Sequence, residues 1–120
     1  MPKSLSRGDV VLVSLPSHQP QGREQEGKRP TVIVGIPQGK LRYPVILVVP
    51  LTTQMGDWVE KNSVLYPRLE AGVGNLSQPS IVLLDQVRAI DVQRVVAYFG
   101  SLTAEQYQPI LEGLRQILGI

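Results

Sequence analysis

Arg29-Pro30 ends a long polar stretch and opens an apolar one, and Pro50-Leu51-Thr52-Thr53 ends a second apolar stretch about twenty residues later. A guanidinium stays charged and presents a planar fork of donors that suits phosphate oxygens. The proline after it holds Arg29 in extended backbone, so its side chain leaves a strand mouth in a defined direction. A threonine hydroxyl at the rim of another strand could face the same anion. Successive strand residues point to opposite faces, so only one of Thr52 and Thr53 can do this. Other routes to hydrolysis lack their parts: the chain has one histidine, His18, no cysteine and no cluster of metal ligands. The chemistry these residue types support is therefore anion-directed. Plainer roles stand beside it: Arg29 in a weak surface ion pair with Glu24 or Glu26, and the threonines as strand formers.

Further candidates are less specific. Asp85-Gln86 closes an apolar run; a carboxylate beside an amide can hold the edge of a base or cap a turn. Glu24-Gln25, in the polar stretch, can read bases or simply be solvated. Trp58 is the sole tryptophan, and in a polar neighbourhood stacking or a partner contact competes with core packing.

These residues need elements to hold them. The chain has 120 residues, enough for one domain with a real core. Its composition, 42% hydrophobic and 18% charged, is that of a globular protein and excludes disorder. A net charge of +2 does not call for a nucleic-acid partner, which would need clustered cations. The absence of cysteine excludes disulfides and thiolate metal sites. No apolar leader follows Met1, and the longest apolar run, 45–49, is too short to span a bilayer, so a cytoplasmic protein off the membrane is expected.

Strands are predicted at 10–13, 31–36, 43–51 and 80–87, with a short edge strand at 63–66 and another at 92–99. The polar stretch between the first two is longer than a hairpin needs. The period then changes: Tyr107, Ile110, Leu111, Leu114, Ile117 and Leu118 share one face of a helix. Thr103 and Gln106 form a capping box, and Leu102 with Tyr107 a hydrophobic staple. Pro109 sits past the first turn, where a kink or a restart is expected at a cost of about 3 kcal/mol. Short strands closed by one amphipathic helix make an α+β, mainly β domain built as a small barrel.

Several stretches together resemble the MazF/PemK/Kid family of toxin endoribonucleases. They are Arg7-Gly8-Asp9-Val10; the loop from Gly22 through Glu24-Gln25 to Arg29-Pro30; Val49-Pro50-Leu51-Thr52-Thr53; Ser80 through Asp85-Gln86 to Asp91; and Gly100-Ser101-Leu102-Thr103 before the helix. The resemblance runs from about Arg7 to Leu118. It implies an SH3-like barrel of six or seven strands with a C-terminal helix, working as a homodimer. It also implies cofactor-free, metal-independent cleavage of single-stranded RNA at short sequences, and a cognate antitoxin that blocks the groove. By position, Arg29 and Thr52 fall on the catalytic arginine and threonine. Glu24, Gln25, Ser80, Asp85 and Gln86 fall on positions that contact RNA or shape the groove, and Thr53 is counted with them. Kid-type members carry an arginine where this chain has Leu83, and Ile36, Arg23 and Glu26 also depart from the pattern. These changes touch target choice rather than cleavage.

The mechanism so implied uses RNA's own 2′-hydroxyl as nucleophile. Arg29 would bind the non-bridging oxygens and act as proton donor, and Thr52 would fix the phosphate. The polar stretch 16–28 would be a lid on the groove. A gyrase-directed toxin of CcdB type and a non-catalytic SH3-like binding module are the competing readings.

Overall fold

A continuous run of β-branched and apolar residues, Val10 to Val13, sets the first strand. In the computed structural model, which describes residues 4–15 and 27–120, β1 is Asp9–Leu15. It is followed by β2 (Gly27–Gly35), β3 (Val45–Thr52), β4 (Arg68–Leu69), β5 (Ser80–Val82), β6 (Arg88–Asp91) and β7 (Val95–Ser101). The helices are α1 (Asp57–Lys61) and α2 (Ala104–Leu118). The strands form one antiparallel sheet in the order β4-β5-β3-β2-β1-β7, with β6 also on β3. The result is a curled half-barrel of seven strands with a C-terminal helix, the architecture expected from the sequence.

Both faces of the sheet are buried. Val10, Val32, Val49 and Leu51 face α2 and pack with Tyr107, Ile110 and Leu114. Their strand neighbours Val11, Val13, Ile33, Ile46 and Val48 turn to the other side and form a second cluster with Leu15 and Ile90. That is the period-two rule applied to strands apolar on both faces.

Three boundaries differ from expectation. β2 starts at Gly27, so Arg29 and Pro30 lie inside the strand, paired with Val13 and Leu12 of β1. The expected edge strand at 63–66 is a set of turns after α1, and the edge strand proper is Arg68–Leu69 beyond Pro67. The run expected to be strand through 87 breaks after Val82. Leu84–Gln86 is a 3-10 turn instead.

Pro50 accounts for that break. Its carbonyl accepts from the backbone N–H of Leu83, but it has no N–H of its own to return. Leu51 pairs with Val82 while Val48 pairs with Arg88, so three steps along β3 match six on its neighbour. The three extra residues loop out at the strand rim and carry Asp85 and Gln86 with them.

The helix starts as its sequence says. The Thr103 hydroxyl accepts from the Gln106 N–H at 3.1 Å, and the Gln106 side chain accepts from the Thr103 N–H at 2.9 Å. Pro109 neither kinks it into two elements nor restarts it; α2 is continuous from Ala104 to Leu118. Pro109 and Glu105 are both exposed, so the Glu105 carbonyl that loses its partner faces water. Gly113, by contrast, is buried: a Cβ there would run into the Leu84 side chain and the Val64 carbonyl. Helix α2 thus braces the turn that holds Asp85 and Gln86.

The Arg7-Gly8-Asp9 motif also proves structural. The buried Asp9 carboxylate accepts from the Ser6 N–H and from the Ser101 hydroxyl, both at 2.8 Å. Ser101 has spent its only proton, so Tyr98 donates to Ser101 across 2.7 Å. Arg7 sits 5.3 Å above the Tyr107 ring. Burial raises the Tyr107 phenol above its usual range, and the Arg7 charge works against that rise.

Candidate active site

The end of β3 brings the expected residues to the surface. Thr52 is half-buried and lines a pocket of about 420 Å³ with Gln54, Trp58, Tyr66, Leu83, Asp85 and Gln86. Its hydroxyl oxygen accepts from the Gln54 N–H at 3.2 Å, which leaves the hydroxyl proton available for a ligand. Thr53 lies beyond the strand end, exposed and outside the pocket lining.

Arg29 reaches the same rim from the neighbouring strand. β2 and β3 pair Thr31 with Pro50, Val32 with Val49 and Ile33 with Val48. The paired positions end at Thr31 and Pro50, which leaves Arg29 and Thr52 each two residues beyond them on neighbouring strands. Arg29 is exposed and does not itself line the pocket.

In the same pocket the Tyr66 hydroxyl donates to Asp85 Oδ2 at 2.7 Å. That bond, then desolvation and the carboxylate's charge, raises the Tyr66 pKa from 10.0 and keeps the phenol protonated. Tyr66 and Trp58 meet edge to face, with centroids 4.8 Å apart and planes at 86°. Leu83, in place of a Kid-type arginine, is buried in the pocket wall.

Not every expected residue joins this group. Ser80 is buried, its hydroxyl donates to the Gln78 carbonyl at 3.1 Å, and it does not line the pocket. Glu24, Gln25, His18 and residues 16–26 of the lid expected at 16–28 lie outside the described residues, while Gly27 and Lys28 open β2. Tyr66 and Gln54 were missed by sequence reasoning. A larger groove of about 660 Å³ runs past Leu5, Ile36, Leu41, Ile46, Val92 and Val95. No ionisable side chain lines it, so the smaller pocket is the chemical candidate.

Known proteins share this fold and sequence. The chain resembles endoribonuclease MazF of Staphylococcus epidermidis, with 33% identity over 117 residues, covering 97% of this chain and 92% of that protein. The crystal structure of MazF from Deinococcus radiodurans superposes with a TM-score of 0.71 at 20% identity, over 97% of each chain. A mycobacterial endoribonuclease in complex with its cognate antitoxin gives 0.68 at 18% identity, over 98% of this chain and 97% of that one. At such identities these two structures establish the fold. The profile of PemK-like, MazF-like toxins of type II toxin–antitoxin systems matches residues 6–118, and the chain belongs to that family.

Proposed function

We propose that this endoribonuclease toxin cuts single-stranded RNA at short sequences by in-line attack of the ribose 2′-hydroxyl on the adjacent phosphorus. The observation that supports the reading is the β2–β3 pairing, which ends at Thr31–Pro50 with Arg29 and Thr52 each two residues beyond it on neighbouring strands. Arg29 binds the non-bridging oxygens and stabilises the charge that develops on them, where a preorganised donor acts most strongly. Thr52, its oxygen already engaged by the Gln54 N–H, turns its proton to the same phosphate and fixes it for attack. The nucleophile belongs to the substrate, so the chain has only to align and to stabilise. Asp85 and Gln86, at the same pocket, contact the bases; Glu24, Gln25 and the exposed Thr53 are the further RNA-contacting residues of this reading.

A cognate antitoxin and a second copy of the chain are the protein partners of this reading. The uncharged groove lined by Leu41 and Ile46, and apolar side chains left exposed at Tyr43, Val96 and Leu118, support protein-covered surfaces.

Incubation of the protein with a long RNA, followed by mapping of the ends, tests the proposal. Cuts at one short recurrent sequence are expected, leaving a 2′,3′-cyclic phosphate and a 5′-hydroxyl, and continuing in excess EDTA. A deoxyribose at the cut nucleotide should stop the reaction. Ends carrying a 3′-hydroxyl, or RNA bound but left whole, would overturn it.

A further inference from the structure

The pocket beside Thr52 holds more than the proposed cleavage chemistry uses. Trp58 and Tyr66 form its aromatic wall, although neither is needed to bind or activate a phosphate. In an edge-to-face pair, one ring keeps both faces clear of the other. Gly56 lets the indole fold back against the backbone: a Cβ at that position would lie 2.5 Å from Trp58 Nε1. The wall is therefore set in place by its own loop and by Tyr66, ahead of any ligand. The volume, about 420 Å³, is within the range of small-molecule sites and leaves room for one flat ring.

We infer that Trp58 and Tyr66 form a shelf on which one nucleobase flanking the cut linkage stacks, with the Asp85 carboxylate reading its edge. The inference rests on the nuclease reading of the same pocket. Stacking supplies affinity without sequence preference, because every base has a π-face. Preference comes from Asp85. The Tyr66 hydroxyl fixes one of its oxygens at 2.7 Å, and an ionised carboxylate can only accept. Guanine, with its N1–H beside its N2 amino group, gives a carboxylate two adjacent donors and is favoured. Adenine and cytosine offer one amino donor beside an unprotonated ring nitrogen, and uracil one ring N–H between two carbonyls, so each is held more weakly.

Trp58 is the only tryptophan, so its emission reports on the shelf alone. The probe is an RNA oligonucleotide containing the cut sequence, with deoxyribose at the cut nucleotide to prevent turnover. Saturable quenching of Trp58 is expected, and most of it should vanish when the flanking base is replaced by an abasic site. In cleavage assays Trp58→Ala should raise KM about tenfold, as loss of one base stack does, with kcat within about threefold. Trp58→Phe should recover most of that loss. The Trp58→Ala penalty should collapse on the abasic RNA, a result that a merely structural role for the indole would not give. Tyr66→Phe should keep the quenching and weaken the preference for guanine. An equal Trp58→Ala penalty with and without the base would overturn the shelf, as would binding of the probe without quenching; either result leaves the nuclease reading intact. Failure of the protein to bind or cut RNA at all would remove both.

Discussion

Thr52 shows how a single side chain is committed before substrate arrives. Its oxygen takes the Gln54 N–H, and its proton is left to donate. Thr52→Val keeps the shape and removes that donor; kcat should fall on the order of 100-fold with little change in melting temperature. A near-normal rate would assign the phosphate contact elsewhere. Tyr66 gives a pH signature. Its folded pKa is raised above 10.0 by the Asp85 hydrogen bond, so that bond's stability is fully present below about pH 10 and is lost as pH rises through the higher folded value. Titration of the phenol by its ultraviolet absorbance should show one tyrosine held back by this bond, and Asp85→Asn should bring it down. At this scale alternation showed only that one of Thr52 and Thr53 can face a site; the choice of Thr52 came from the family resemblance. Tyr66 was not legible in the sequence, because it sits in a stretch that reads as strand and folds as turns.

Elements explain why Asp85 and Gln86 reach the pocket. Pro50 has no N–H for the next strand, and the chain there leaves the sheet as a 3-10 turn. The apolar run around 80–87 hid this, since its hydrophobicity fits a strand as well as a turn whose Leu84 is buried under α2. The proline that breaks the ladder lies more than thirty residues away in sequence, and only the pairing of β3 with β5 and β6 reveals its effect. Gly113 is the matching contact on the helix. Alanine gains about 1 kcal/mol over glycine in a helix interior, but overpacking costs about 1 to 3 kcal/mol. Here the obstacle includes the Val64 backbone carbonyl, which cannot rotate away as a side-chain tip can, so the clash wins. Gly113→Ala should lower stability in urea unfolding and, by shifting Leu84, also slow cleavage. The α2 boundaries were legible because the capping box is written in Thr103 and Gln106. The effect of Pro109 was overestimated because its exposure is a tertiary property.

Across the whole molecule, the half-barrel brings together positions that are far apart along the chain. Arg29 arrives on β2, Thr52 on β3 and Asp85 on the turn between β5 and β6. At the far edge, Asp9 ties β1 to the end of β7 through Ser101, ninety-two residues on. Asp9→Ala strands the Ser6 N–H and the Ser101 hydroxyl and should cost on the order of 2 to 3 kcal/mol, read as a lower denaturation midpoint without change in the cut sequence. The main strands and the C-terminal helix were visible in the periodicities, while α1, the break in the 80–87 run and the register joining the strands were not. That register is the basis of the proposed chemistry, because it brings the ends of β2 and β3 that carry Arg29 and Thr52 side by side as far as Thr31 and Pro50. The most direct measurement is the single-turnover cleavage rate of Arg29→Ala, on protein shown to be folded by its melting curve. A fall of about 100-fold or more is expected for loss of a preorganised donor to the phosphate; a rate near that of the unaltered chain would contradict the account.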